Sequence, residues 1–197
     1  MLRFGSTPFK KAGVEVCFPC QATLIGERTL LIGGSEKIEA RSVLIAAGLE
    51  PVVPPVPGLK EAGYLDNESI LELKELPNRM AVVGSGPIGS EFAQIFSRFG
   101  VQVTLIEQGA RILSREEPET SAAIRTVFEA ESIEVRTRTK MKSVELSEGV
   151  KRIFFESGAS IDVDEILVAV GRSLDGKTLG LDTAGIEWSP RGIKVNE

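Results

Sequence analysis

The stretch that most constrains the fold is residues 80–108, MAVVGSGPIGSEFAQIFSRFGVQVTLIEQ. A short apolar run, 80–83, ends at Gly84, and Gly84, Gly86 and Gly89 satisfy G-x-G-x-x-G. Ile88, Phe92, Ile95, Phe96 and Phe99 then recur at helical spacing. Gly100 follows the last of them, where a left-handed helix end is expected. Val101, Val103 and Leu105 resume a strand that closes on Glu107. Each glycine has a physical task. Gly84 turns the chain sharply out of the strand. Gly86 offers bare backbone to a pyrophosphate, and Gly89 lets the helix pack closely on the sheet. The helix N-terminus turns unpaired N–H groups and a positive dipole end toward the phosphates. Glu107 stands where an acid holds the hydroxyls of the adenosine ribose. The glycine pattern alone is a weak signal. A preceding strand, a following helix and a second strand ending in an acid favour dinucleotide binding over a glycine-rich structural turn.

The flanks of this stretch differ in character. Residues 14–18, 22–25, 29–32 and 37–40 have the spacing of short strands separated by glycines, and 42–46 that of a more buried strand ending near Gly48. Residues 50–60, EPVVPPVPGLK, contain too much proline for a helix or a central strand and predict a stiff connector beside a domain boundary. A short helix is expected within 61–79, capped by Asp66 or Asn67, carrying Ile70, Leu71, Leu73 and Leu76, and stopped by Pro77. A further helix begins near Pro118 with Ala122, Ala123, Ile124, Val127 and Phe128 inward, and residues 133–135 supply a third parallel strand. Then the pattern changes. Residues 143–146 and 152–155 flank Glu148-Gly149 as a hairpin, 161–164 leads into the buried strand 166–170, and a last strand is expected at 193–195.

Composition limits the chemistry. The net charge of -5 argues against a nucleic-acid or anionic-membrane surface. No apolar stretch is long enough to span a bilayer, and residues 1–11 lack the apolar core of a secretory signal, so a cytoplasmic location is expected. The chain has 0 histidines, which excludes Ser-His-Asp and Cys-His catalysis within it and removes the commonest metal ligand. Cys17-Phe18-Pro19-Cys20 has redox or half-zinc spacing. There are only 2 cysteines and no helix start at the pair, so the two are expected to be structural or incidental, with no metal site. The charged run 115–119 reads as a solvated helix start, and Arg136, Arg138, Lys140 and Lys142 as one solvent-facing edge.

Three segments together resemble the pyridine nucleotide-disulfide oxidoreductases, flavoproteins that include dihydrolipoamide dehydrogenase, glutathione reductase and mercuric reductase. They are LIAAG with EPVVPPVPG (44–58), GSGPIGSEFA with TLIE (84–107), and EILVAVGR (165–172). The wording of residues 65–107 looks closest to the mercuric-reductase-like and lipoamide-dehydrogenase-like members. The resemblance implies an α/β fold. Its centre is a Rossmann-like NAD-binding domain, a parallel sheet with helices plus a β-meander, flanked by β-rich remnants of an FAD-binding domain. On that reading residues 1–58 are the partial FAD-domain segment and connector, 59–180 the NAD(H)-binding domain, and 181–197 a return toward the FAD domain. The family's N-terminal FAD fingerprint, its C-x-x-x-x-C and its C-terminal dimerisation domain with a His-Glu pair have no counterpart in the sequence. Ala47 stands where many members have Thr, and Ser173-Leu174-Asp175 replaces the usual x-P-N.

The resemblance also implies roles. NAD(P)H gives a hydride to FAD, which passes electrons to a disulfide or a metal ion, so this chain would position the cofactor and carry no catalytic residue. Gly84, Gly86, Pro87, Ile88, Gly89, Glu91, Glu107 and Gly171 are the expected cofactor-binding residues. Pro87 takes the place of an aromatic gate in some members and also suits a first helical turn. Glu91 matches the family's glutamate near the nicotinamide, or is an acid favoured by the helix dipole. Gly171 lies by the nicotinamide ribose, or is a simple turn. Glu107 would repel a 2′-phosphate, so NAD(H) is expected over NADP, with FAD in the complete enzyme. Arg111 reads as a solvated loop cation or a pyrophosphate neighbour. A homodimer is a possible assembly. The alternative is a stand-alone, non-catalytic dinucleotide-binding or sensing module.

Overall fold

A computed structural model describes Phe9 and residues 11–196. Most of the N-terminal segment weighed above as a signal sequence lies outside the described residues. The chain divides into two compact units, unit 1 comprising Met1–Leu49 with Leu174–Glu197 and unit 2 comprising Glu50–Ser173.

Unit 1 contains β1 (Ala22–Leu24), β2 (Thr29–Ile32) and β3 (Glu36–Glu39), an antiparallel meander. Two expected strands are corrected. Residues 14–18 and 42–46 form no strand, and Phe18 and Leu44 are 75% and 92% exposed. An apolar run becomes a strand only when a neighbour takes up its backbone N–H and C=O groups, and no described strand pairs with either segment.

Unit 2 opens with β4 (Glu50–Pro51), then the proline-rich connector and a single helical turn, α1 (Leu59–Ala62). The helix expected within 61–79 is reduced to a 3₁₀ turn at Ser69–Glu72. Asp66 holds its start, accepting hydrogen bonds from the Glu68 and Ser69 N–H groups and from Ser69 Oγ. These bonds keep the Asp66 carboxyl below the usual carboxylate range. Of its apolar residues Ile70 is buried, while Leu71 and Leu76 are exposed.

The central βαβαβ follows: β5 (Arg79–Val83), α2 (Pro87–Arg98), β6 (Gln102–Ile106), α3 (Pro118–Ala130) and β7 (Glu134–Arg136). Helix α2 ends as expected. Gly100 has φ 87, its N–H donates to Ser97 O, and the Val101 N–H donates to Phe96 O, the two bonds of a Schellman motif. Beyond β7 come β8 (Met141–Ser147), β9 (Val150–Phe155) and β10 (Ser160–Val163), an antiparallel meander whose first turn is Glu148-Gly149. Next is β11 (Glu165–Val168), and β12 (Arg172–Ser173) pairs back onto β4. In unit 1 the chain finishes with β13 (Trp188–Ser189) and β14 (Gly192–Ile193), so the expected last strand lies slightly earlier than 193–195.

The sheet order β11-β5-β6-β7 is all parallel, as in a mononucleotide-binding half. Residues alternate across it. Ala81, Val83, Ile106, Ile166 and Val168 face the meander and the connector residues Val53 and Val56. Met80, Val82, Val103, Leu105 and Leu167 face Ala93 and Phe96 of α2 and Phe128 of α3. The inward stripe of α3 is corrected to Ser121, Ile124 and Phe128, with Ala122, Ala123 and Val127 exposed. Ser121 is tolerated there because its Oγ–H donates to Ile112 O at 2.6 Å. On α2, Ile95 and Phe99 likewise turn outward. The basic row spans β7, the loop after it and β8 rather than one strand edge, with Arg138, Lys140 and Lys142 exposed as expected and Arg136 half-buried. Arg136 pairs with Glu134 and lies 5.5 Å from the Phe155 ring centre, and Lys140 pairs with Glu156.

Candidate functional site

The site is built where β5, β6 and β11 end, at the carboxyl edge of the parallel sheet. Open α/β sheets bind ligands at that edge because helix N-termini and loops converge there. The Gly84 N–H donates to Ile106 O, and the Ala169 N–H to Val83 O, so the turn after β5 is fastened to both neighbouring strands.

The three fingerprint glycines meet different surroundings. Gly84 has φ 98, and a Cβ there would lie 2.5 Å from Ala169 O. At Gly89 a Cβ would overlap Gly84 O. Both are required by the protein's own packing. Gly86 is not, since a Cβ there would meet nothing within 4 Å. It stands immediately before α2, whose N-terminus has no side-chain cap and carries Pro87 at its start. Bare backbone, open space and uncapped N–H groups are what an approaching phosphate needs. Ile88 is half-buried and Pro87 is exposed at the same helix start.

Glu107 follows β6, and both its carboxylate oxygens are held. Oε2 accepts from Ser85 Oγ at 2.5 Å and from the Ser85 N–H at 3.2 Å, while Oε1 accepts from the Gly109 N–H at 2.6 Å. The Ser85 carbonyl in turn accepts from the Leu113 N–H and from Ser90 Oγ. The Arg138 N–H donates to Gly109 O and the Thr139 N–H to Glu107 O, tying in the loop after β7. Ser85 and Gly109 carry no signal in the sequence, because the fingerprint leaves both positions unspecified.

Arg111 is half-buried rather than a solvated loop cation. Its Nη2 donates to Ser114 O, and its buried Nη1 has no acceptor among the described residues. Glu91 is exposed and beyond the first turn of α2, so the dipole account of it does not hold. Gly171, after β11, has φ 135, and a Cβ there would meet nothing within 4 Å. All eight expected residues belong to unit 2. Cys17 and Cys20 belong to unit 1, are exposed and free, and the Cys20 thiol donates to Cys17 O. The Cys17 thiol sits above its ordinary range, first through lost hydration and then through Cys20, Glu15 and Glu36, which is opposite to activation. Among the described residues no cluster of three His, Cys, Asp or Glu suits a metal ion, and no helix is long and apolar enough to cross a membrane.

The chain resembles known proteins over most of its length. A family profile described as pyridine nucleotide-disulphide oxidoreductase matches residues 8–197. The chain is 36% identical over 181 residues to a mercuric reductase of Staphylococcus aureus, covering 90% of this chain and 33% of that protein. It is 37% identical over 183 residues to a dihydrolipoyl dehydrogenase of Bacillus subtilis, covering 89% and 39% respectively. A Cu(II) complex of the HOCl-induced flavoprotein disulfide reductase RclA from Escherichia coli superposes with a TM-score of 0.88 at 29% identity, over 96% of this chain and 44% of that one. The chain thus spans about a third of the length of the curated relatives it matches. With its parallel sheet, glycine turn and profile match over nearly all its length, the chain belongs to the pyridine nucleotide-disulphide oxidoreductase family.

Proposed function

We propose that unit 2 binds NAD(H) at the carboxyl edge of its parallel sheet and positions it for hydride transfer to FAD, and onward to a disulfide or metal-ion acceptor. The observation that carries this reading is Gly86, a glycine with no steric partner in the protein, beside an uncapped helix start and an oriented carboxylate. The nicotinamide ring supplies the hydride when bound. The chain's own residues bind and orient. The Gly86 backbone and the start of α2 receive the pyrophosphate, with Pro87 and Ile88 forming the first turn. Glu107 accepts from the adenosine ribose and disfavours a 2′-phosphate, which supports NAD(H) over NADP. Glu91 and Gly171 border the nicotinamide end.

Titration of the purified chain with NADH, followed by nucleotide fluorescence, tests the reading. Binding should be saturable and should be lost in Gly86→Val, whose side chain would fill the pyrophosphate approach. A chain that leaves NADH fluorescence unchanged overturns the proposal. Flavin absorbance on the same preparation tests FAD separately. Colourless protein that still binds NADH would favour a dinucleotide-binding module without turnover.

A further inference from the structure

We infer that Ser85 is a positioning residue for adenosine-ribose recognition, its hydroxyl fixing the Glu107 carboxylate in the orientation that accepts a ribose hydroxyl. The inference rests on the reading of unit 2 as a dinucleotide site and adds a residue that the glycine fingerprint does not specify.

Ser85 is only 2% exposed, and its hydroxyl donates to a single acceptor, Glu107 Oε2 at 2.5 Å. Its N–H donates to the same oxygen, and the Gly109 N–H holds the other oxygen at 2.6 Å. A carboxylate offers about four lone-pair sites. Three are engaged by the protein, which pins the plane of a side chain that would otherwise turn about several bonds. What remains for a ligand is the one free lone-pair site on half-buried Glu107, which can accept from a ribose hydroxyl. A carboxylate ordered before the ligand arrives loses less freedom on binding. A 2′-phosphate brought to the same place would meet a fixed negative charge.

The test compares the parent chain with Ser85→Ala, using NADH fluorescence for affinity and two competitors, ADP and 2′,3′-dideoxy-ADP. Ser85→Ala should weaken NADH and ADP by about five- to tenfold, because the carboxylate loses a bond that holds it oriented before the ligand arrives. The dideoxy competitor, which has no ribose hydroxyls to present, should bind both proteins alike. In a Glu107→Gln background, Ser85→Ala should cost less than half as much on a logarithmic scale. Equal weakening of both competitors would assign Ser85 to support of the loop alone and overturn the inference, as would unchanged affinity for ADP. Should Ser85→Ala fail to fold, Ser85→Cys keeps the volume with a weaker donor, and the same ADP-specific loss is expected. Failure of the parent chain to bind NADH sinks the dinucleotide reading and this inference with it, whereas NADH binding without the ADP-specific loss sinks only the inference.

Discussion

Gly84 and Gly86 lie two positions apart, yet substitution should separate stability from binding. Gly84→Ala places a Cβ at positive φ and against the Ala169 backbone, so it should destabilise unit 2 by about 1–3 kcal/mol, read as a lower thermal midpoint. Gly86→Val puts its side chain into open space and should leave the midpoint nearly unchanged while abolishing NADH fluorescence enhancement. Similar midpoint losses in both variants would remove the case for a ligand at Gly86. Glu107→Arg should shift coenzyme preference toward NADPH, and equal affinities before and after would make the ribose assignment wrong. The glycine turn and the acid after β6 were legible in the sequence because they fall at a set spacing. Ser85 was not. Its hydrogen bond reaches a residue just after the next strand, 22 positions away.

Elements depend on how their ends are fastened. Asp164, just before β11, accepts from the Asn78 and Arg79 N–H groups and from Arg79 Nη2, while its own N–H donates to Arg79 O. One side chain therefore clips together the starts of β5 and β11, the two strands whose far ends carry the Gly84 turn and the Gly171 loop. The Arg79 side chain, first of all, holds the Asp164 carboxyl below its ordinary value of 3.8. A carboxylate lowered on folding contributes stability above its unfolded pKa and loses it as pH falls through the folded one. Asp164→Asn should therefore lower the thermal midpoint at pH 7 and flatten the decline of the midpoint below about pH 4. An unchanged acid limb would show that the clip carries no linkage. On α2, Phe96→Ala should cost about 3–5 kcal/mol by chemical denaturation, because Phe96 packs into the helix-side core, while exposed Phe99→Ala should cost far less. The 3.6-residue period located α2 and α3, but not which apolar residues lie inside. Ile95, Phe99 and Val127 fit the period and still turn outward. The sheet covers only part of each helix, and that coverage is a property of the assembled layers.

At the scale of the molecule, a ligand that binds only folded unit 2 must stabilise it by mass action. NADH at a hundred times its dissociation constant should add about 2.7 kcal/mol and raise the far-ultraviolet circular-dichroism midpoint, and Gly86→Val should abolish that rise. The sequence alone determined the central βαβ, its glycine turn, the Glu148-Gly149 hairpin and a return strand, expected at 166–170 and found at Glu165–Val168. These features are set by local turn chemistry and by periodicity within a few residues. Only the tertiary structure decided that residues 14–18 and 42–46 are not strands, that the segment 61–79 keeps one 3₁₀ turn, and that Glu107 is held by Ser85 and Gly109. A strand needs a neighbour and a carboxylate needs donors, and those partners lie far along the chain. The fingerprint at 84–89 was visible at once, but which of its glycines answers to the protein and which faces open space was decided by the fold around it.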